Sequence, residues 1–327
     1  MDQMTVVSSA QENLSLDATA SASAEKQGVA LSSVLAAVVL TGSKLAVGIL
    51  TGSLGLLSEA LHSGLDLVAA AVTYLAVRIA DRPADADHRY GHGKVENISA
   101  LFETMLLFIT CFWIVSEAVQ RLFFKSVEVE ATVWSFVVIV GSIIIDISRS
   151  RALMRVAKKH NSQALEADAL HFSTDVWSSC VVLVGLVAVK VGEMIGGSDA
   201  LAKADALAAL GVAVIVIGVC WRLGKRTIDV LLDRAPEGVA GAIEATACAT
   251  PGVMGCERLR VRESGNRTFV DVVVHVDADV TVRQGHDVAD EVKRRIEESV
   301  PFADVVVHME PSTVAAGNPD RQGGARG

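Results

Sequence analysis

A histidine followed four positions later by an aspartate occurs twice within strongly apolar stretches, as His62 with Asp66 and as His171 with Asp175. Residues four apart lie about one turn apart on the same face of an α-helix, so each pair directs an imidazole and a carboxylate the same way. Two such helices facing each other offer two nitrogens and two oxygens, which suits a tetrahedral divalent transition metal. Zn²⁺ fits this set better than Ca²⁺ or Mg²⁺, which prefer oxygen ligands alone.

Each pair has a second interpretation, in which the two side chains only make hydrogen bonds between helices. Ionisable groups at bilayer depth cost roughly 2.5 kcal/mol or more each, so those present are candidates for function. Because the same spacing occurs in two separate apolar stretches, the sequence favours metal ligands over hydrogen-bonded pairs. The other ionisable residues in such stretches follow no pattern and are expected at helix ends or in the lumen: Lys44, Glu59, Glu103 and Asp146.

The elements that hold these pairs are apolar enough for a membrane. The chain has 327 residues, of which 51% are hydrophobic and only 20% charged, and its mean hydropathy is +0.43. A bilayer core of roughly 30 Å needs about 20 apolar residues per helix. Six stretches reach that length, namely 30–50, 54–80, 98–123, 131–154, 164–191 and 205–226. Six spans put both termini on the same side of the membrane.

Lys and Arg in the short loops predict the orientation. The connections after the second and fourth stretches and the exit from the sixth are rich in both residues, whereas the opposite loops offer little more than Lys125 and Lys203. Cytoplasmic loops carry such an excess, so both termini are expected in the cytoplasm. An integral membrane protein fits this arrangement.

Four regions follow along the chain. Residues 1–28 contain no signal-peptide core and are predicted to form a disordered cytoplasmic leader, and residues 29–232 form the six-span membrane domain. Pro236 and Gly238 then break the last helix. For residues 233–311 the sequence predicts an α-β-β-α-β domain with its helices on one face of a small sheet. For residues 312–327 it predicts a disordered tail. The predicted fold class is an all-α membrane domain with a small α+β domain.

Several function classes are excluded by what the sequence lacks. A net charge of -9 gives no basic face for nucleic acid, and no GxxxxGK[ST] phosphate cradle is present for a nucleotide. The metalloprotease motif HExxH is also absent, which argues against an enzyme of that kind. The five cysteines are odd in number and form no CxxC pair, so neither a disulfide framework nor a cysteine zinc site is predicted, and a reducing cytoplasm fits.

The combination of features resembles the cation diffusion facilitator family of metal exporters over residues 29–311. The resemblance is carried by the six spans, the paired motifs in the second and fifth, the loop DADHRYGHGK at 85–94 and the small α-β domain. It implies a homodimer in the lipid bilayer with a ferredoxin-like, metallochaperone-like cytoplasmic domain. It also implies proton-coupled antiport of a divalent metal, with a transport site at His62, Asp66, His171 and Asp175. Members with histidine at the position of His62 tend to select zinc.

The resemblance implies two accessory sites. In the loop between the second and third spans, the matching positions are Asp85, His88 and His92, for which solvated and ligating roles stay equally open. In the tail domain, the candidates for a regulatory zinc site are Glu257, His275, His286, His308 and Glu310. Glu257 stands where some members have histidine, and Val273 where a second-strand histidine is expected. A reduced or rearranged site, or none, follows from these departures.

A mechanism follows from the ligand types. Metal ligands must be deprotonated, so Zn²⁺ and protons compete for the same groups, and histidine, with an ordinary pKa near 6.5, can make that exchange. The sequence therefore predicts a Zn²⁺/proton antiporter that exports zinc from the cytoplasm. The alternatives are an exporter of Fe²⁺, Mn²⁺, Co²⁺ or Cd²⁺ in the same family and, from a different class, a membrane-anchored metal sensor.

Overall fold

The structure is a computed structural model that describes residues 2–51, 54–123, 133–195 and 199–312. The chain divides into two compact units, a helical unit (Met1–Asp229) and a tail unit (Val230–Gly327). The tail predicted to be disordered after residue 312 lies outside the described residues.

Six helices make up the helical unit: α1 (Asp2–Thr51), α2 (Leu54–Ala80), α3 (Lys94–Phe123), α4 (Val133–His160), α5 (Gln163–Ile195) and α6 (Asp199–Leu231). Each contains one of the six predicted stretches, or most of it. In the part of the chain whose side chains are described, three stretches are long and apolar enough to cross a membrane: Ala20–Leu50, Ala60–Ala80 and Lys94–Trp113.

Helix α1 extends through the segment predicted to be a disordered leader. Its backbone is helical from Asp2, and the Lys26 side chain is buried, donating to Asp81 and, at 3.0 Å, to Oε1 of Glu96. Ser23 adds a hydrogen bond to Oδ2 of Asp81 at 2.6 Å. The sequence predicts a disordered leader up to residue 28, whereas in the structure residues 20–28 pack on the ends of α2 and α3. A buried cation with two carboxylate partners holds this polar segment in place, which apolar periodicity alone could not reveal.

Small side chains let the helices of this unit approach closely. Helix α1 packs on α2, α4 packs on α5, and α5 also contacts α2 and α3. The buried cluster between α1, α2, α4 and α5 contains Ala30, Ala70, Val77, Leu153, Val156, Ala157, Ala164, Leu165, Ala169 and Phe172. Alanine in five of these positions shortens the distance between backbones, as in other membrane bundles. Only Asn161 and Ser162 separate α4 from α5.

The tail unit contains α7 (Val239–Cys248), β1 (Gly255–Ser264), β2 (Arg267–Val276), α8 (Val282–Ser299) and β3 (Ala303–Pro311), in the predicted α-β-β-α-β order. The sheet order is β1-β2-β3, with β1 antiparallel and β3 parallel to β2. Alternate valines of β2 pack with Ile243 of α7 and with Val292 and Ile296 of α8. This burial puts both helices against one face of the sheet and leaves the opposite face for polar side chains.

Two local features mark the helix ends of the tail unit. Thr281 and Gln284 form a capping box that satisfies backbone donors at the start of α8. The structure brings Cys248, at the end of α7, beside Cys256 of β1, with Cα atoms 5.9 Å apart. The sequence analysis did not predict that these two cysteines are neighbours. The cysteine count carried no signal for this pair, because only the fold brings the end of α7 beside the first strand.

Candidate metal centre

Asp66, His171 and Asp175 form a group in the helical unit, which we call the intramembrane cluster. Asp66 comes from α2, and the other two come from α5. Nε2 of His171 lies 3.2 Å from Oδ1 of Asp66 and 3.6 Å from Oδ2 of Asp175. His171 is buried, and the two carboxylates are only slightly exposed. One ring nitrogen and two carboxylate oxygens therefore converge where a divalent cation could bind all three.

His62 is the one member of the predicted quartet that lies outside this cluster. Its half-buried ring has its centroid 6.4 Å from that of Trp113, on α3. The four-residue spacing thus brings His171 and Asp175 together on α5, whereas His62 is turned toward α3. Its role as a ligand stays a prediction.

Glu103 of α3 is a buried residue that the sequence reasoning did not assign to the site. It is fully buried, and its Oε1 accepts a hydrogen bond from Oγ1 of Thr73, on α2, at 3.0 Å. Its Oε2 lies 3.8 Å from Nδ1 of His171, on the side of the ring away from Asp66 and Asp175. A single glutamate carries no spacing pattern, so only the packing of α3 on α5 reveals this neighbour.

Further polar groups surround the cluster from α1 and α4. Arg149 donates to Ser33 at 3.0 Å, lies 3.5 Å from Asp146 and stacks on the ring of Phe172, next to His171. Lys44 donates to the hydroxyl of Ser63 at 2.8 Å, one turn before Asp66. These buried cations offset the negative charge that two or more carboxylates bring into an apolar bundle.

The loop between α2 and α3 brings together Asp85, His88 and His92, the three loop positions that the resemblance implied. Nδ1 of His88 and Nε2 of His92 lie 3.3 and 3.4 Å from the Asp85 carboxylate. The backbone N–H of His88 donates to Oδ1 of Asp85 at 2.6 Å and holds the pKa of that carboxyl below its ordinary value. The loop therefore presents an ionised carboxylate beside two imidazoles, an arrangement with the donor types that Zn²⁺ accepts.

In the tail unit the structure groups three of the five predicted residues, Glu257, His275 and Glu310. Nε2 of His275 lies 3.2 Å from Oε2 of Glu257, and His275 pairs with Glu310 across the parallel strands. A bulge between Cys256 and Arg258 accommodates Glu257. The two remaining residues lie outside this group: exposed His286 is 3.5 Å from Asp290 on α8, and exposed His308 is 3.6 Å from Glu310.

Family comparisons match both units. Residues 30–232 match the family described as cation efflux transmembrane domain, which is more than half of the chain, and residues 235–312 match the cation efflux protein, cytoplasmic domain.

Individual proteins give the same result. The cation-efflux pump FieF of Cronobacter sakazakii is 32% identical over 286 residues, which are 87% of this chain and 92% of that protein. Its namesake from Shigella boydii is 32% identical over 267 residues, or 81% of this chain and 85% of that protein. Among solved structures, the nickel form of a MamM CTD variant covers 24% of this chain and 99% of its own, at 27% identity and a TM-score of 0.23.

Proposed function

The chain belongs to the cation efflux family of membrane metal transporters, and from that premise we propose that it exports Zn²⁺ from the cytoplasm in exchange for protons. The observation that carries this proposal is the intramembrane cluster. Two helices that are not neighbours in sequence supply a buried imidazole nitrogen and two carboxylates around one point. In this function the metal ion is the substrate, and the protons are the counter-substrate.

The chemistry of the cluster supports exchange rather than permanent binding. Three protein ligands leave a fourth position of a tetrahedral Zn²⁺ for water, or for His62 after a rotation of its side chain. A metal ion expels protons from the groups that bind it, so acid on the far side of the membrane favours release. Alternate exposure of the cluster to the two sides would then couple metal export to proton entry.

The same cluster supports a second candidate substrate class. Without His62, the cluster offers one nitrogen and two oxygens, and a shell richer in oxygen suits Fe²⁺ or Mn²⁺ better than two imidazoles do. A membrane-anchored metal sensor is the candidate from another class, and the group at Glu257, His275 and Glu310 favours it.

We further propose that the protein is a homodimer in a bacterial inner membrane, with both termini in the cytoplasm. The family match of residues 235–312 to the cation efflux cytoplasmic domain supports the placement of the tail unit. The basic loops after the second and fourth spans support the same orientation. In this arrangement the loop site at Asp85, His88 and His92 and the group in the tail unit would meet cytoplasmic metal, the first before transport and the second for regulation.

Purified protein in lipid vesicles tests the transport proposal. With a pH gradient across the membrane, the wild type should accumulate Zn²⁺ on the acidic side, and Asp175→Ala should abolish this. The exposed Asp304→Ala, in the tail unit, is the matched control and should transport normally. Zinc flux that survives Asp175→Ala at the wild-type rate would refute the proposed site, and a wild type that binds zinc without moving it would favour the sensor.

A further inference from the structure

The two ring nitrogens of His171 face different carboxylates. Nε2 faces Asp66 and Asp175, the two other members of the intramembrane cluster, at 3.2 and 3.6 Å. Nδ1 faces the opposite way, toward Oε2 of Glu103 at 3.8 Å. A neutral imidazole can bind a metal through one nitrogen only while the other carries the proton. The ring therefore has a metal side and a proton side, and Glu103 lies on the proton side.

Both atoms of the second contact are buried and lack a hydrogen bond. Among the described residues, neither Nδ1 of His171 nor Oε2 of Glu103 has a hydrogen-bond partner, although both side chains are almost completely buried. Leaving a buried donor and a buried carboxylate oxygen unpaired is costly. The separation of 3.8 Å is longer than a hydrogen bond, but a small rotation of the ring or of the carboxylate would bring the two atoms within hydrogen-bonding distance.

Thr73 fixes the other oxygen of the same carboxylate. Its hydroxyl donates to Oε1 of Glu103 at 3.0 Å, which leaves Oε2 directed at the imidazole. Thr73 is itself fully buried on α2, the helix that also carries Asp66. The chain of contacts thus runs from Thr73 on α2 through Glu103 on α3 to His171 on α5.

We propose that Glu103 is a positioning residue for the metal ion: its carboxylate accepts the Nδ1 proton of His171 and holds Nε2 toward Asp66 and Asp175. Metal-binding histidines almost always donate their other N–H to such a partner, which fixes the tautomer and makes the ligating nitrogen more basic. The inference rests on the proposed function of the intramembrane cluster and adds a residue that contacts no metal. It also gives a reason for a fully buried glutamate in α3.

Four substitutions test the role by equilibrium binding of Zn²⁺ and Co²⁺ to purified protein. Losing an outer partner of this kind costs roughly 10- to 100-fold in metal affinity. We expect Glu103→Ala to lose the most metal affinity. Glu103→Gln, which keeps the shape of the side chain but not its charge, should lose somewhat less. Thr73→Val should weaken binding mildly, because it frees the carboxylate to turn, whereas Thr73→Ser, which keeps the hydroxyl, should restore wild-type affinity.

The visible absorption bands of bound Co²⁺ report on the coordination of the metal, and a mere loss of fold stability would not change their shape. In Glu103→Gln the bands should persist, since all metal ligands remain, but change in shape as the His171 ring loosens. Size-exclusion profiles and the thermal unfolding midpoints of the metal-free protein identify variants that do not fold. If a Glu103 variant does not fold, the metal affinities of Thr73→Val and Thr73→Ser test the proposal instead. Wild-type affinity in both Glu103→Gln and Thr73→Val would overturn the proposal. Loss of the entire Co²⁺ equivalent that Asp175→Ala also removes, in a folded Glu103→Gln, would overturn it as well, by making Glu103 a ligand.

Failure of the positioning role of Glu103 can be distinguished from failure of the proposed transport site. If Asp175→Ala kept full transport, the cluster itself would be wrong, whatever Glu103 does. If Asp175→Ala abolished transport while the Glu103 and Thr73 series matched the wild type in affinity and spectrum, only the positioning role would fail.

Discussion

Three carboxylates surround His171, from Asp66, Asp175 and Glu103 at 3.2, 3.6 and 3.8 Å. So much negative charge in a buried site is unfavourable unless protons or a cation offset it. In the proposed exchange, Zn²⁺ and protons would be alternatives for that purpose. The specificity of the site then depends on how the remaining position around the metal is filled.

His62 is the residue on which selectivity should depend. We expect His62→Asp to raise the transport of Mn²⁺ relative to Zn²⁺, because it replaces a nitrogen donor with an oxygen donor. Competition between metals in vesicle uptake measures this, with the exposed Asp304→Ala as the control. An unchanged metal preference would mean that His62 stays turned toward Trp113 during transport.

Asp85 should matter for metal binding in the loop but not for the chemistry of export. Its carboxyl pKa is held below the ordinary value by the backbone N–H of His88, so it is ionised at all cytoplasmic pH values. Asp85→Asn removes that charge beside His88 and His92 and should eliminate one of the metal equivalents bound at equilibrium. Zn²⁺ titration of the wild type, Asp85→Asn and the neighbouring Asp87→Asn provides the comparison. Equal stoichiometry in all three would argue that the loop side chains are only solvated.

The sequence could predict those side chains whose spacing repeats. The histidine–aspartate pairs were evident because four-residue spacing defines one face of a helix, and the structure brings three of the four residues together. Glu103 could not be assigned to the site from sequence, since its position beside His171 depends on the rotation of α3 relative to α5. In the tail unit the resemblance implied five residues, of which the structure groups Glu257, His275 and Glu310, whereas the position of His286 depends on α8.

Helix α1 is anchored by charge at the end where α2, α3 and α5 meet. Lys26 bridges Asp81 and Glu96, and Glu96 also accepts from Ser162 just before α5. We expect Lys26→Met to destabilise the fold by about 3–5 kcal/mol, since it leaves the buried carboxylate of Glu96 and the partly buried one of Asp81 without their cation. Thermal unfolding in detergent measures the loss.

The control for this substitution is Lys159→Met. Lys159 also pairs with a residue of α1, Glu25, at 2.6 Å, but both side chains are exposed to solvent. Exposed ion pairs contribute about 0–1 kcal/mol, so this variant should unfold near the wild-type temperature. Similar shifts for the two variants would contradict a special role for burial at Lys26.

Gly252 holds the turn between α7 and β1 in a conformation that other residues avoid. Its φ is +90°, and an added Cβ would lie 2.7 Å from Cγ2 of Val288 on α8. Gly252→Ala should therefore destabilise the tail unit by about 1–3 kcal/mol. Hydrogen exchange of β1 and α8 in the full-length protein reports the effect. Gly241→Ala, on α7 with open space around its Cβ, should slow exchange or leave it unchanged.

Element types were largely predictable, whereas their ends were not. Apolar length indicated the six helices, and alternation indicated the three strands. The extension of α1 before residue 30 depends on polar contacts that a hydropathy pattern does not contain. The proximity of Cys248 and Cys256 likewise depends on a separation that only the folded tail unit defines.

The orientation of the whole molecule in the membrane can be tested by labelling. In a cysteine-free background, a membrane-impermeant maleimide should label Lys158→Cys, at the end of α4, and Asp290→Cys, on α8, from the cytoplasmic side only. Lys203→Cys, near the start of α6, should react from the opposite side. This pattern follows from the excess of Lys and Arg in the loops. Periplasmic labelling of Lys158→Cys would reverse the direction proposed for transport.

The short turn between α4 and α5 restricts how the substrate site can move. Only Asn161 and Ser162 separate the two helices, Ser150 of α4 donates to the carbonyl of Ala169, and Arg149 stacks on Phe172. A displacement of His171 and Asp175 must therefore carry α4 along as a rigid hairpin. In the proposed transport cycle, turnover would then depend on contacts between α4 and α5 that contain no metal ligand. An antibody fragment bound to this hairpin should inhibit transport without competing for metal.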